Sequence, residues 1–453
     1  MMLCHCSPLP PRQNGIADYA AKVAVALSKS FPTIVCDAGP FVDVPAGITV
    51  IDPAQAFRLD PDETLFVHHI GNNADHAHVR KLALARPGIV VIHDLRLLWL
   101  YNHCGLSDTE FLAALARSNP PAAPGRLPAI RRKGLRSFDY LLFDVLDEIV
   151  RSARGIVVHS EFGRRQIALR FGAEVASRVS VIPHFAFDPP RETKAQARLR
   201  LGLEPDAVVV ATFGFAARAK RYDLVVDAIA ALAPLVRNLV WLQAGPVRAD
   251  EYDLESAVRA KTAVARVTRF TGYIPAHDLD GYVAAADVAV NLRYPSLGEN
   301  SGSLSRLLSA GVPCVVTDTA AYAEMPDDVV VKLPIEADGR DLALVLATLL
   351  ERPEEAVAIG AAARRLAEGP LAFDRYVEAF RAVIAAARAH RSIDRGAGHA
   401  NPEHHIDLDG ASFGFEALAD SAMPVDVQCL DVELVGGDPE RIRLRLADAG
   451  ERR

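Results

Sequence analysis

The chain has 453 residues, half of them hydrophobic, with 50 lysines and arginines against 57 aspartates and glutamates. That length exceeds one core and predicts two domains plus a tail, while a net charge of −7 with scattered basic residues argues against nucleic acid as the main partner. No apolar run is long enough to span a bilayer, "MMLCHCSPLPPRQNG" lacks the cationic-then-apolar order of a signal peptide, and six cysteines in so long a chain fit a reduced, cytoplasmic setting better than a disulfide framework.

The N-terminal strand carries "CHC" at Cys4, His5 and Cys6, and no second Cys/His pair with zinc spacing follows it. After it, "PPRQNGIADYAAKVAVAL" opens a helix at Gly15 and Ile16. "TIVCDAG", "ETLFVHHIG", "GIVVIHD", "GIVVHS" and "VSVIPHF" then read as strands between helical stretches. Continuous apolar strands of this kind belong to parallel sheets covered by helices on both faces. "RSNPPAAPGRLPAIRRKGLRS" (Arg117 to Ser137), Pro-rich and then basic, breaks the pattern. Phe185 to Leu203, with Pro189 and Pro190, reads as a linker. A second series follows: "DAVVVATFGF", "NLVWLQAGP", "ARVTRFTGY", "ADVAVNLR" and "VPCVVTD". "FDRYVEAFRAVIAAARAH" is a long amphipathic helix, and the polar tail beyond it ends in a stretch that alternates like a hairpin. The expected division is 1–188, 189–370, a helix over 371–391 that crosses back to the first domain, and a tail over 392–453.

Ligands of open α/β sheets bind outside the carboxyl ends of strands, where loops lead into helix N-termini that favour an anion. Three stretches have that form. They are the turn at Gly15, the turn at Gly214 with Lys220 and Arg221 at the next helix entry, and "YPSLGENSGSLSRLLSAGVPCVVTD". In the last, a loop with Gly298, Glu299 and Gly302 runs into a helix that stops at Gly311. Three such turns, one with a Lys–Arg pair and one with an acid, point to phosphate.

"GIADY", "IHD", "VVHSEFG", "FGF…KRYD", "AGP…TGYIP…YVAAADVAVNLRYPSLGENSGS" and "AAYAEMPD" occur in that order. Together they resemble the retaining, nucleotide-sugar-dependent glycosyltransferases of the GT-B fold, in the group often called family 4. The resemblance covers roughly Leu3 to Ala387 and leaves out the tail. It implies two Rossmann-like, doubly wound α/β domains facing each other, the first for the acceptor and the second for the donor, with a C-terminal extension. Gly15, Gly214, Lys220, Arg221, Asn300, Ser301, Gly302 and Ser303 would then hold the donor diphosphate, with Ser301 and Ser303 adding hydroxyls. Phe215 stands where the family has an arginine, so Arg218 or Arg221 would supply the second cation. Glu299 matches the first acid of the family's E-x7-E signature and would contact the donor sugar. The second acid is missing, and its place falls on Leu307 or Arg306 according to the count. Tyr273, Ile274 and Arg306 would face the nucleoside, or Arg306 a phosphate. His93 would face the transferred sugar, with Asn14, His68, Asn72 and Asp94 on the acceptor side.

The implied activity is transfer of a hexose from a nucleotide diphosphate sugar to a hydroxyl, in polysaccharide or glycolipid synthesis, with no cofactor and no metal. A non-catalytic GT-B binder of a glycan or partner enzyme, or a nucleotide-sugar epimerase, is the alternative. Cations and backbone N–H groups would neutralise the leaving diphosphate in place of a metal. The D-x-D triplets Asp60–Asp62, Asp278–Asp280 and Asp407–Asp409 read as surface. The partners would be the donor and a glycan or lipid-linked acceptor, with no nucleic acid. Arg126, Arg131, Arg132, Lys133 and Arg136 are either a solvated insertion or a contact with anionic lipid at the inner face of a membrane.

Overall fold

The computed structural model describes residues 1–39, 47–249, 251–296, 298–389, 430–434 and 442–446. The tail's Asp407–Asp409 triplet lies outside them. The chain forms two compact units. The first takes in Met1–Ile182, Gly298 and Glu299, and the last helix from Val377; the second holds the rest of 183–376. Among the described residues, no helix is long and apolar enough to cross a membrane.

The first unit is built on strands β1 (Met2–Cys6), β2 (Thr33–Cys36), β3 (Thr49–Ile51), β4 (Thr64–Ile70), β5 (Ile89–Ile92), β6 (Gly155–Val158) and β7 (Val179–Val181). All pair in parallel, in the order β3-β2-β1-β4-β5-β6-β7. Each strand is too short and too apolar to be stable alone, and helices cover both faces. Cys4, Cys6, Phe66, Val90, Ile92, Ile156 and Val158 fill one face. His5 points the other way from its cysteine neighbours, as strand alternation requires, so "CHC" does not gather on one side. The last helix, Phe373–Ala389, lays Val383 and Ala387 against Gly155 of β6 and donates from Arg381 to Ser30 Oγ at 2.7 Å.

The second unit has β8 (Val208–Phe213), β9 (Leu239–Ala244), β10 (Thr268–Phe270), β11 (Val288–Asn291), β12 (Cys314–Thr317) and β13 (Val331–Leu333), in the order β10-β9-β8-β11-β12-β13. Its two cores divide by strand alternation. Val209, Ala211, Phe213, Ala289 and Val316 face one helix layer, and Val210, Trp241, Val288, Val290 and Val315 face the other. Two further strands, β14 (Leu430–Leu434) and β15 (Ile442–Leu446), pair antiparallel with Leu430 opposite Leu446.

The stretch expected to break the pattern is helical. Ala123–Lys133 is a helix with Pro124 in its first turn, where a missing N–H costs nothing, and Pro128 inside it. Arg126, expected to face solvent or lipid, is buried instead: Nε and Nη2 donate to the two carboxylate oxygens of fully buried Asp139 at 3.0 and 2.8 Å. The other four basic residues of that run stay exposed.

Register places four histidines on one face of the first sheet. His5 pairs with Val67, His69 with Val91, and Val91 with Val157. His93 and His159 each follow their valine by two residues, so they share its side. Burial holds His5 down to about 3 and His159 to about 4, and on other surfaces His68 and His76 to about 4. The unfolded chain, with imidazoles near the ordinary 6.5, binds these protons first as pH falls. Above about pH 6.5 neither state binds them and they add no pH dependence; below it stability drops until the folded values are reached. The urea midpoint should therefore hold steady between about pH 8 and 7 and fall steadily from about 6.5 toward 4.5, before most carboxylates titrate. A flat midpoint across that lower window contradicts this assignment.

Candidate functional site

In each sheet one pair of neighbouring strands marks where chain order reverses: β1 and β4 in the first, β8 and β11 in the second. Loops leaving those strands depart to opposite sides and open a crevice at the carboxyl edge.

In the second unit, β8 ends at Gly214, whose φ of 80° is open to glycine. A Cβ there would sit 2.7 Å from Lys220 Nζ, which donates to the Phe213 carbonyl at 3.0 Å. A buried network fixes this turn. Trp241 Nε1 donates to Thr212 Oγ1 (3.0 Å), and Thr212 and Tyr222 both donate to Gln243 Oε1 (2.6 and 2.7 Å). Gln243 Nε2 then donates to the Gly214 carbonyl at 2.9 Å. Burial pushes the Tyr222 hydroxyl up to about 12, so it remains a donor.

From β11 the chain reaches the helix Gly302–Ala310, which stops at Gly311 with φ 66°. The two loops meet where Tyr294 N donates to the Ala219 carbonyl. Ser301 caps the helix, its hydroxyl accepting from Leu304 N at 3.1 Å and bonded to Asn291, so that hydroxyl is committed to the protein and not to a phosphate. Among the described residues, a Cβ at Gly302 would meet only Phe187, at 3.9 Å, so their packing leaves this N-terminus open. Asn300 and Ser303 flank it, both half-buried. Gly298, with φ 80°, packs on Leu95, where a Cβ would approach to 2.3 Å; Glu299 groups with the first unit alongside it.

Several expected ligands are turned elsewhere. Arg221 lies in the left-handed region (φ 53°) and donates to the Ile335 and Ala337 carbonyls at 3.2 and 3.5 Å, which ties the helix entry to that loop and removes it from the diphosphate turn. Arg306 donates to Asp280 at 2.6 Å and lies 4.0 Å from the centre of the Phe187 ring, while Leu307 is fully buried core. Neither replaces the missing acid. Tyr273 is 46% exposed beyond β10, and Ile274 packs partly into the core. Arg248 belongs to no motif that the sequence displays. It leaves the loop after β9 and stands 5.1 Å from the Phe215 ring, where Lys220 Nζ stands at 4.8 Å.

In the first unit, Asn14 caps the helix Gly15–Ser28 by accepting from Ile16 N at 3.0 Å. His76 Nδ1 donates to the His69 carbonyl (2.8 Å), which leaves its Nε2 to accept from Asn14 Nδ2 at 3.3 Å. Gly71 permits this approach, since a Cβ there would strike Ile16 at 2.2 Å. Asn72 N donates to Asp94 Oδ2 (2.7 Å), and Asn72 Oδ1 accepts from Leu100 N (3.0 Å). Asn14, Gly15, Asn72 and Asp94 thus gather at the crevice between β1 and β4. His93 follows β5 and is 8% exposed. His68 is not among them: it faces the opposite side of the sheet, fully buried, with Nε2 donating to the Arg86 carbonyl at 2.8 Å. A residue with no exposed surface cannot line an acceptor site.

Residues 204–352 match the sequence model of the family described as Glycosyl transferases group 1. The D-inositol 3-phosphate glycosyltransferase of Kineococcus radiotolerans is 29% identical over 279 residues, 55% of this chain and 61% of that protein. The lipopolysaccharide core biosynthesis mannosyltransferase LpsB of Rhizobium meliloti is 29% identical over 141 residues, 31% of this chain and 39% of that protein. The matches thus span about three fifths and two fifths of those relatives. Among solved structures, Anabaena Alr3699/HepE in complex with UDP and glucose superposes with a TM-score of 0.60 at 15% identity, over 85% of this chain and all of that one. WaaG, a glycosyltransferase involved in lipopolysaccharide biosynthesis, gives 0.58 at 14% identity, over 85% and 99%. Matched sequence and fold together make this chain one that resembles the group 1 glycosyltransferases of the GT-B fold.

Proposed function

We propose that this chain is a retaining hexosyltransferase that moves a hexose from a nucleotide diphosphate sugar to a hydroxyl acceptor, without a metal, in the making of a polysaccharide or glycolipid. One observation carries the reading: Lys220, anchored at the Gly214 turn, and the open N-terminus of the helix Gly302–Ala310 share the chain-reversal crevice of the second sheet. A cation and a helix N-terminus at one point suit an anion with several oxygens. Lys220 and the N–H groups of Asn300, Ser301 and Gly302 hold the diphosphate, and Ser303 adds a hydroxyl. Arg248, beside Phe215, supplies the second cation in place of Arg221. The UDP and glucose named with Alr3699/HepE are consistent with such a donor.

Glu299 contacts hydroxyls of the donor sugar, a role supported by its match to the first acid of the E-x7-E signature, and the matching position of His93 supports a hydrogen bond from its ring to that sugar. The C1–O bond to the diphosphate breaks as the acceptor oxygen bonds to C1 on the same face, and the acceptor proton passes to a diphosphate oxygen. The helix dipole and Lys220 stabilise the charge that develops there, which removes the need for a divalent ion. Glu299→Gln should lower turnover by ~10²-fold, the scale of one lost transition-state contact, and leave nucleoside diphosphate affinity unchanged. Product NMR should report retained anomeric configuration, and EDTA should leave the rate intact. Near-normal turnover of the variant, an inverted product or loss of activity to EDTA contradicts the reading. Diphosphate binding without turnover of any nucleotide sugar would make the chain a binder.

A lipid-linked acceptor draws support from the exposed basic end of the helix Ala123–Lys133, with Arg131, Arg132, Lys133 and then Arg136. Each such charge near an anionic surface contributes about 1 kcal/mol. The protein should float with phosphatidylglycerol vesicles and not with phosphatidylcholine. Arg131→Glu with Arg132→Glu should weaken that binding by roughly tenfold or more. Equal flotation of the variant, or none by the parent, removes the contact.

A further inference from the structure

The histidine face of the first sheet holds a connected row. His5 Nδ1 and His69 Nε2 lie 3.2 Å apart, and His69 Nδ1 and His93 Nε2 lie 3.5 Å apart. The ring planes of His5 and His69, and of His69 and His93, lie within 20° and 24° of parallel, with centroids 5.5 and 5.8 Å apart. Tyr19 meets His93 edge-on at 4.7 Å, and His159 lies 5.1 Å from it. A face covered by helices is ordinarily filled with aliphatic side chains, because a buried imidazole must satisfy two nitrogens. Here His5 and His69 are both fully buried.

The far end of the row sets its direction. Among the described residues, His5 Nε2 is buried and has no hydrogen-bond partner. An orphan N–H is rarer in folded proteins than an orphan lone pair, so the His5 proton belongs on Nδ1. That N–H donates to His69 Nε2, which must then be bare. The His69 proton is therefore on Nδ1, and it donates to His93 Nε2, which is bare in turn. We infer that His5 and His69 form a directed hydrogen-bond chain that holds His93 with its proton on Nδ1, and that His69 is a positioning residue for His93. Burial supports the neutral forms this requires, holding His5 down to about 3 and His69 well below the ordinary imidazole range. The importance of His93 rests on the proposed function; its tautomer does not.

Histidine ¹⁵N NMR on the whole chain, with His93 assigned, reads the tautomer directly. The parent should show a protonated Nδ1 and a bare Nε2 at His93. His69→Phe keeps the ring and removes both nitrogens, so a second His93 population with the proton on Nε2 should appear. Its transfer kcat should fall roughly 10- to 100-fold, the size typical of losing the group that orients a functional histidine, with KM for the donor little changed. His69→Gln can accept from His5 and donate to His93, so it should restore the single tautomer and most of the rate. A parent His93 protonated on Nε2 overturns the inference even if the variants fold poorly. So does a His69→Phe spectrum unchanged at His93, or equal loss in the Phe and Gln variants. A parent with the expected tautomer but no transferase activity would instead leave this chain of bonds standing and remove the proposed function.

Discussion

A parallel sheet covered by helices on both faces has almost nowhere to receive a polar ligand, and this constraint organises both units. Its strands must be apolar on each side, so side-chain chemistry is pushed to the edge where strands end and loops begin. Where chain order reverses, between β1 and β4 and between β8 and β11, adjacent loops part and leave helix N-termini facing a crevice. The candidate residues gather at those two places because the topology leaves them open. A glycine is required only where the backbone turns or packs tightly, as at Gly214 and Gly71.

Holding that edge still has a cost. Gln243 links the Gly214 carbonyl to Tyr222 and Thr212 from inside a hydrophobic layer that also holds Trp241. An orphaned member of such a group costs about 1–3 kcal/mol, so the turn cannot shift without breaking several bonds together. The histidine face of the first sheet follows the same logic. Arg126 with Asp139, and Arg221 with the carbonyls of Ile335 and Ala337, show how often an apparent ligand is a brace.

Much of this was legible in the sequence. Val- and Ile-rich runs mark the central strands, because their packing is decided by composition alone. Gly311 marks the end of its helix, because only a left-handed residue closes it there. Of the four three-residue edge strands, β7 and β10 lie within runs that the sequence marks, whereas nothing in the local pattern marks β3 and β13. Charged side chains were read least well. Whether Arg126, Arg221 or Arg306 faces a ligand depends on acceptors 13 to 116 positions away, which no local pattern encodes. His68 shows the reverse error. Adjacent histidines on a strand face opposite sides, so His69 belongs to the row with His93 and His68 does not. Alternation and the parallel register would have sufficed to find that row.

The crevice between β8 and β11 is proposed to hold a nucleoside diphosphate through Lys220. Isothermal titration of UDP and GDP into the parent and into Lys220→Ala tests this. At least one of the two should bind the parent, and the variant should bind it more weakly by ~1.5–3 kcal/mol, the loss of one charge-assisted hydrogen bond, with the matching monophosphate affected less. No binding by the parent, or equal diphosphate affinity in both proteins, would remove Lys220 from any diphosphate site.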